Sequence, residues 1–194
     1  MILGVAGKMR SGKDTLADIL VEKFHFIKIS PAWVLKHICR DFLSWDGVKD
    51  DKGRVMLQQV GTEIARKACG ENIWCELLER VIKIINEANG GTSNFVLPSI
   101  RFICEAEWIN SMGGHVVRVE REDKNRAVTG DLDHRSEVEL DSREFKSLVW
   151  KGIKNDGTKG DLARKARDIY DEIVNEIYLE EPLTEINECG ITIN

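Results

Sequence analysis

Apolar residues along the chain fall into two patterns, short continuous runs and stripes that repeat at the spacing of one helix face. The continuous runs predict strands at 2–6, 95–97, 116–119 and 148–153, with a shorter extended stretch at 26–29. The stripes predict helices over about 14–24, 31–42, 54–68, 72–88, 104–112 and 158–181. Because strands alternate with helices, we expect one parallel sheet covered by helices on both faces.

One long stretch, residues 120–147, fits neither pattern. It is rich in both charges and poor in large apolar side chains, which predicts a solvated excursion outside the core. The excursion is either an ordinary charged loop or a lid that closes over bound nucleotides and excludes water. It contains Arg121, Arg126 and Arg135, of which we expect one or two to be functional.

The turn between the first strand and the first helix carries the strongest chemical signal. Residues 7–15 read GKMRSGKDT, the layout of a P-loop, in which backbone N–H groups and a lysine hold nucleotide phosphates. The strict pattern has Ser or Thr directly after Gly-Lys, whereas this chain has Asp14 there and Thr15 one place later. A chance glycine-rich turn and a site that no longer binds nucleotide are therefore alternatives.

Size, charge and cysteine placement narrow the class of protein. A chain of 194 residues with 42% hydrophobic content suits one domain, and a net charge of −5 argues against nucleic-acid or membrane partners. The glycine-rich turn begins close to residue 1, which leaves no room for a signal peptide, and the five cysteines are scattered. We expect a cytoplasmic protein with reduced thiols, nucleotide partners and a homodimer as a candidate assembly.

Several short segments, in the P-loop and beyond it, carry further information about the class of protein. In chain order they read RSGKDT at 10–15, QQVGTE at 58–63, NIW at 72–74, LPSIR at 97–101, HRSE at 134–137 and NDG at 155–157. In this combination the chain resembles the phage-type deoxynucleoside monophosphate kinases, relatives of adenylate and dephospho-coenzyme A kinases. It departs from them at Ser99, where relatives often carry Asp in the form Pro-Asp-x-Arg.

The resemblance implies a fold and a reaction. The fold is a P-loop NTPase-type parallel sheet flanked by helices, with a helical acceptor-binding region over about 30–90 and a lid over about 120–147. The reaction is transfer of the γ-phosphoryl group of ATP, with Mg²⁺, to a deoxynucleoside monophosphate. Alternatives are a kinase for another small metabolite, similar to dephospho-coenzyme A or phosphomevalonate kinases, and a nucleotide-binding protein without turnover.

Transfer to an acceptor that is itself a phosphate needs positive charge and positioning more than a general base. On the donor side we expect Lys13 as the catalytic cation, together with Gly7, Arg10, Ser11, Gly12, Asp14 and Thr15. Asp14 either holds a water on Mg²⁺ or only contributes negative charge at the helix N-terminus. The resemblance puts Asn155 beside the donor adenine, whereas a turn-forming Asn needs no ligand.

On the acceptor side the strongest candidate is Arg101, directly after a predicted strand. Its alternative is a salt bridge with Glu105 one turn on. Arg66 either reaches the acceptor phosphate or is surface charge. By resemblance, the acceptor nucleoside is expected to contact Ser30, Gln58, Thr62, Glu63 and Trp74, although a Trp in a helix pattern is more often part of the core.

Overall fold

A computed structural model describes residues 1–48, 50–121 and 138–180 and contains one parallel sheet. Its strands are β1 (Ile2–Ala6), β2 (Ile27–Lys28), β3 (Phe95–Ile100), β4 (His115–Glu120) and β5 (Lys151–Lys154). Their spatial order is β2-β3-β1-β4-β5, and every neighbouring pair is parallel. The parallel sheet expected from the sequence is therefore confirmed, with β1 at its centre.

Helices cover both faces of this sheet. They are α1 (Lys13–Phe24), α2 (Pro31–Leu43), α3 (Asp51–Gln58), α4 (Ala65–Cys69), α5 (Ile73–Ala88), α6 (Ile103–Ser111), α7 (Arg143–Ser147) and α8 (Lys159–Glu180). On one face, α1 and α8 pack on the sheet, and on the other face α5, α6 and α7 do so. Because both faces are covered, the central strands read as continuous apolar runs.

The predicted helix over 54–68 differs most from the observed elements. It is divided into α3, a π-helix at Gln59–Ile64 and α4, and it begins earlier because the Asp50 carboxylate accepts a hydrogen bond from the Gly53 N–H at 2.8 Å. A Cβ at Gly61, inside the π-helix, would lie 2.9 Å from Leu35 Cδ2. Leu35 of α2 therefore packs closely on Gly61, and π-helical turns are frequent at functional sites.

The prediction that the whole of 120–147 is a solvated excursion is wrong for its second part. Residues 138–147 form a 3-10 turn (Glu139–Asp141) and α7, and they bury Leu140 and Phe145 completely against the sheet. Two apolar side chains in a highly charged stretch gave too weak a pattern to predict a core element. Residues 122–137, with Arg126 and Arg135, lie outside the described part of the chain.

The predicted strand at 148–153 is also displaced, because α7 extends to Ser147 and β5 comprises only Lys151–Lys154.

Within the three described ranges, no helix is both long and apolar enough to cross a membrane.

Candidate active site

The carboxyl edge of the sheet brings the predicted site residues together. Ala6, the last residue of β1, pairs with Ile100 on β3 and with Arg118 on β4. The glycine-rich turn, Arg101 and the end of β4 therefore leave the sheet side by side. Glu120 pairs with Lys154, so Asn155 emerges at the same edge. In open parallel sheets, ligands bind at this edge.

The turn between β1 and α1 can be built only with glycine at two positions. Gly7 has φ 141°, and a Cβ there would lie 2.3 Å from the Val119 carbonyl oxygen. Gly12 has φ 102°, and a Cβ there would lie 2.2 Å from Asn155 Nδ2. Both positions combine a left-handed backbone with a closely packed neighbour, so any side chain would push the turn off the sheet.

Lys13 lies inside this turn rather than in solvent. Its side chain is buried, with the residue only 4% exposed, and Nζ donates a hydrogen bond to the Lys8 carbonyl oxygen at 2.8 Å. Within the described residues, the buried Ser11 hydroxyl has no hydrogen-bond partner. A cation folded over the turn and an unsatisfied buried hydroxyl are polar groups that a phosphate can satisfy. The residues of the turn therefore fit a bound polyphosphate.

Asn155 supports the turn. Its Nδ2 donates to the Ser11 carbonyl oxygen at 2.8 Å, across a sequence separation of 144 residues, and the side chain is buried. Asn155 therefore makes a structural contact with the glycine-rich turn, and its expected place beside the donor adenine stays a prediction. A role in forming a local turn does not account for all of its contacts, because the Asn155 amide also joins the end of β5 to the loop after β1.

Asp14 and Thr15 occupy the first turn of α1. The Asp14 side chain is 72% exposed, and its carboxylate lies 3.8 Å from Lys28 Nζ, which bonds more closely to Asp18 at 2.8 Å. Thr15 is half-buried. The described ranges hold no cluster of three or more His, Cys, Asp or Glu that could bind a metal ion. A metal here would depend mainly on phosphate and water oxygens, with Asp14 as the acid at the mouth of the turn.

Arg101 follows β3 directly and is half-buried. Burial lowers the pKa of its guanidinium, while the charges of Glu105 and Asp14 raise it again. An arginine remains protonated under such a shift, so the edge of the sheet keeps a cation. Because the charge of Asp14 acts on the Arg101 guanidinium, the two side chains lie in the same part of the site. Arg101 thus follows β3 at the edge of the sheet where the glycine-rich turn lies.

A bulge at Ser99 affects the direction in which Arg101 leaves β3. The register of β1 and β3 shifts between Val5 and Ala6, because Val5 pairs with Pro98 and Ala6 with Ile100. Ser99 is the extra residue of this bulge and has φ 77°, an uncommon backbone conformation for a residue other than glycine. Bulges beside active sites redirect the residues that follow them. The departure from the Pro-Asp-x-Arg form therefore falls at a strained position of the site.

Arg66 is a buried structural cation, so the surface-charge alternative is wrong. The residue is 3% exposed, Nη2 lies 2.5 Å from Glu105 Oε1, and Nη1 donates to the Glu71 carbonyl oxygen at 2.5 Å. Its guanidinium also stacks 3.9 Å from the centroid of the Phe102 ring. Glu105 in turn accepts hydrogen bonds from the backbone N–H groups of Arg101, at 2.8 Å, and Phe102, at 3.2 Å. Arg66 therefore supports the loop that carries Arg101.

The expected acceptor residues divide into two groups. Trp74 is buried, and its Nε1 donates to the Gly61 carbonyl oxygen at 2.9 Å, so it belongs to the core and not to an exposed stacking surface. Glu63 is exposed and forms an ion pair with Lys67. The other three are a helix cap, a half-buried amide and a buried hydroxyl in the π-helix, namely Ser30, Gln58 and Thr62.

Sequence patterns missed two features of the site. Arg54 lies in α3, where no motif singled it out, and its Nη1 lies 3.2 Å from Met9 Sδ, so it brings an arginine from outside to the glycine-rich turn. Arg118 is buried in β4, donates to the Leu140 carbonyl oxygen and binds Asp141 Oδ1 at 2.7 Å. The sequence did contain one indication of this pair, a single arginine inside the apolar run VVRV. An arginine in a buried strand needs a partner for its charge, so an acidic residue nearby could have been expected.

Asp141 joins Arg118 to the phosphate-binding turn. Its carboxylate forms ion pairs with Lys8 and with Arg118. Partial burial acts to raise the pKa of Asp141, but the hydrogen bonds and charges of Lys8 and Arg118 outweigh it and hold the pKa below its ordinary value. A cleft opens above this cluster, lined by Lys8, Met9, Arg10, Ser11, Arg118, Val119, Glu120, Arg121 and Asp141.

The fold is similar to that of a solved kinase. A dephospho-CoA kinase from Campylobacter jejuni superimposes with a TM-score of 0.54 at 15% identity, covering 91% of this chain and 98% of that protein. A shikimate kinase from Acinetobacter baumannii is matched over 90% of this chain and 93% of that protein, with a TM-score of 0.47 at 15% identity. At 15% identity, the similarity to the dephospho-CoA kinase concerns the fold alone.

The sequence comparisons identify the family. The family model for deoxynucleotide monophosphate kinase matches residues 52–166, more than half of the chain. A candidate deoxynucleotide monophosphate kinase of Acanthamoeba polyphaga mimivirus is 29% identical over 172 residues, which cover 77% of this chain and 86% of that protein. The chain belongs to the deoxynucleotide monophosphate kinase family. The family match begins after the phosphate-binding turn, so the two signals are independent.

Proposed function

We propose that this protein transfers the γ-phosphoryl group of ATP to a (deoxy)nucleoside monophosphate, giving the diphosphate and ADP. The observation that carries the proposal is the pairing of Ala6 with Ile100, which sets the loop of Lys13 directly beside Arg101. Two cationic residues therefore follow neighbouring strand ends at the same edge of the sheet. Phosphoryl transfer between two nucleotides requires this arrangement of positive charge around a donor and an acceptor phosphate.

On the donor side, Lys13 and the backbone of the turn bind the ATP phosphates. The Lys13 ammonium exchanges the Lys8 carbonyl oxygen for phosphate oxygens, and the Ser11 hydroxyl gains the partner that it lacks among the described residues. Asn155 fixes the Ser11 carbonyl, so the turn is held in its binding conformation before ATP arrives. Such preorganisation avoids a cost of reorganisation during the reaction.

On the acceptor side, Arg101 binds the phosphate of the monophosphate or the group in transfer. Its planar guanidinium can hold two phosphate oxygens at once. Arg54 is a second cation at the same turn, through its contact with Met9. The acceptor phosphate is itself ionised near neutral pH, so no side chain has to remove a proton before attack. The acceptor nucleoside would lie against the helical region, near Ser30, Gln58 and Thr62.

Mg²⁺ supplies further charge neutralisation on the phosphate oxygens when it accompanies ATP. Asp14 is the acid of this chain that would hold one of its waters, and its exposed carboxylate at the mouth of the turn fits that role. Arg121 lines the cleft above the turn and is the described member of the three arginines, of which we expect one or two to be functional. Arg126 and Arg135 keep this role as predictions, since they lie outside the described residues.

A coupled assay of ADP release tests the proposal. The purified chain is incubated with ATP, Mg²⁺ and each common deoxy- and ribonucleoside monophosphate, with dephospho-coenzyme A and phosphomevalonate as competing acceptors. We expect rapid ADP release with at least one nucleoside monophosphate, and formation of its diphosphate by chromatography. Turnover only with a non-nucleotide acceptor, or no turnover by a folded protein that binds ATP, would reject the proposal.

A further inference from the structure

Two cysteines outside the phosphate site form a pair between α5 and α6. Cys75 lies in the first turn of α5 and is buried, whereas Cys104 lies in the first turn of α6 and is only partly buried. The Cys75 thiol donates to the Cys104 carbonyl oxygen at 3.9 Å, and the Cys104 thiol donates to the Glu71 carbonyl oxygen at 3.7 Å. The two cysteines are therefore neighbours across α5 and α6, one shielded and one partly accessible, and such neighbours are candidates for a disulfide.

The surroundings of Cys104 favour its thiolate. Arg66 Nη1 lies 3.2 Å from Cys104 Sγ, and the residue occupies the N-terminal turn of a nine-residue helix. A hydrogen bond from Cys75 and the charge of Arg66 lower the pKa of the Cys104 thiol, although burial and Glu105 oppose them. The same contact, together with burial, raises the pKa of Cys75. A cation and a helix N-terminus are the features that make cysteines reactive.

We propose that Cys104 and Cys75 form a reversible oxidative modification site, in which Cys104 reacts with a hydroperoxide and Cys75 resolves the product. With hydrogen peroxide, the Cys104 thiolate attacks one peroxide oxygen and breaks the O–O bond, so that sulfur is oxidised to a sulfenic acid and hydroxide leaves; an organic hydroperoxide releases an alkoxide instead. The Cys75 sulfur then attacks the Cys104 sulfur and expels the hydroxyl group, which leaves as water with the Cys75 proton. The product is a disulfide between α5 and α6, and an external thiol reduces it again.

The site adjoins the loop that carries Arg101 but belongs to a separate chemistry. Cys104 follows Arg101 by three positions, and the Arg66 guanidinium contacts both Cys104 and Glu105. Neither cysteine lines the phosphate-binding turn or the cleft above it. The modification therefore does not depend on the proposed kinase reaction, and its test uses readouts other than turnover.

The test treats the reduced full-length chain with hydrogen peroxide and maps cysteine peptides by mass spectrometry without reduction. We expect a Cys75–Cys104 peptide that has lost two hydrogens and that dithiothreitol separates. In Cys75→Ser, dimedone should instead trap a sulfenic acid at Cys104. In Cys104→Ser, the cross-link should disappear and Cys75 should remain a thiol. Circular dichroism checks that each variant keeps its fold.

Cys69 provides the internal control, because it is exposed and lies in α4 of the same helical region. If exposure alone determined reactivity, Cys69 would be modified first. We expect a limiting amount of iodoacetamide at neutral pH to alkylate Cys104 about tenfold faster than Cys69, because the thiolate is the reactive form. Equal or faster alkylation of Cys69, or peroxide products without the Cys75–Cys104 link, would overturn the proposal.

Discussion

The phosphate-binding turn and the helical acceptor region use their polar residues in opposite ways. In the turn, the Lys13 ammonium donates to the Lys8 carbonyl oxygen, and the buried Ser11 hydroxyl has no hydrogen-bond partner among the described residues. In the helical region, the Arg66 guanidinium is paired with Glu105, and the Trp74 indole donates to the Gly61 carbonyl oxygen. We therefore propose a functional role for the first pair and a structural role for the second. All four residues are buried, so the partners of their polar atoms, and not burial, distinguish the two pairs.

The largest expected effect concerns the buried ion pair. Replacing Arg66 with Met leaves the Glu105 carboxylate buried without its cation, which typically costs about 3–5 kcal/mol of folding free energy. Urea denaturation of both proteins measures this loss. Lys67→Met is the matched control, because the neighbouring Lys67–Glu63 pair is exposed and is worth about 0–1 kcal/mol. Equal losses for the two variants would show that the buried pair is worth no more to stability than the exposed one.

Lys13→Ala is expected to have the next largest effect, on activity rather than stability. Removing a preorganised electrostatic contact to the transferring phosphates should cost about 3–4 kcal/mol in the transition state, or a rate loss of roughly 10²–10³. Single-turnover kinetics with ATP and the preferred monophosphate measure it. Lys23→Ala, at the exposed end of the same helix, should retain full activity. Near-normal turnover of a folded Lys13→Ala protein would contradict the donor-site assignment.

Trp74→Phe tests whether the Trp74 indole is structural or stacks on the acceptor base. Phe keeps an aromatic ring but removes the N–H, so the Gly61 carbonyl loses its donor at a cost of about 1–3 kcal/mol. We expect thermal stability to fall while the KM for the monophosphate is unchanged. Trp33→Phe, at a position that is 63% exposed, should change stability by less than about 0.5 kcal/mol. A raised KM with unaltered stability would return Trp74 to the acceptor site.

These cases show why the sequence predicts one region better than the other. The phosphate-binding turn uses backbone groups and neighbours in sequence, so a nine-residue motif defines it. Arg66 depends on Glu105, 39 residues away, and Asn155 on Ser11, 144 residues away. A motif of a few neighbouring residues cannot predict contacts between residues so far apart in the sequence. The π-helix likewise depends on how closely Leu35 packs on Gly61, and the bulge at Ser99 depends on the register of two strands.

The smallest expected effect lies in the contact between Asp141 and the phosphate-binding turn. Because Lys8 and Arg118 lower its pKa, the Asp141 carboxylate adds stability above the ordinary value of 3.8, and this contribution is lost as the pH falls through the lowered value. Asp141→Asn should therefore be less stable than the parent by under about 1 kcal/mol at neutral pH. Denaturation at a series of pH values should show the difference shrinking below pH 4. A constant difference at all pH values would contradict the ion-pair account.

The central claim is that Arg101, and not Arg66, is the acceptor-side cation beside Lys13. Steady-state kinetics of Arg101→Lys, with ATP and the monophosphate varied separately, test it most directly. Lysine keeps the charge but cannot hold two phosphate oxygens, so we expect a large loss in kcat/KM for the monophosphate with little change in the KM for ATP. A loss confined to KM assigns Arg101 to binding, and a fall in kcat assigns it to the group in transfer. Unchanged constants for both substrates would contradict the claim.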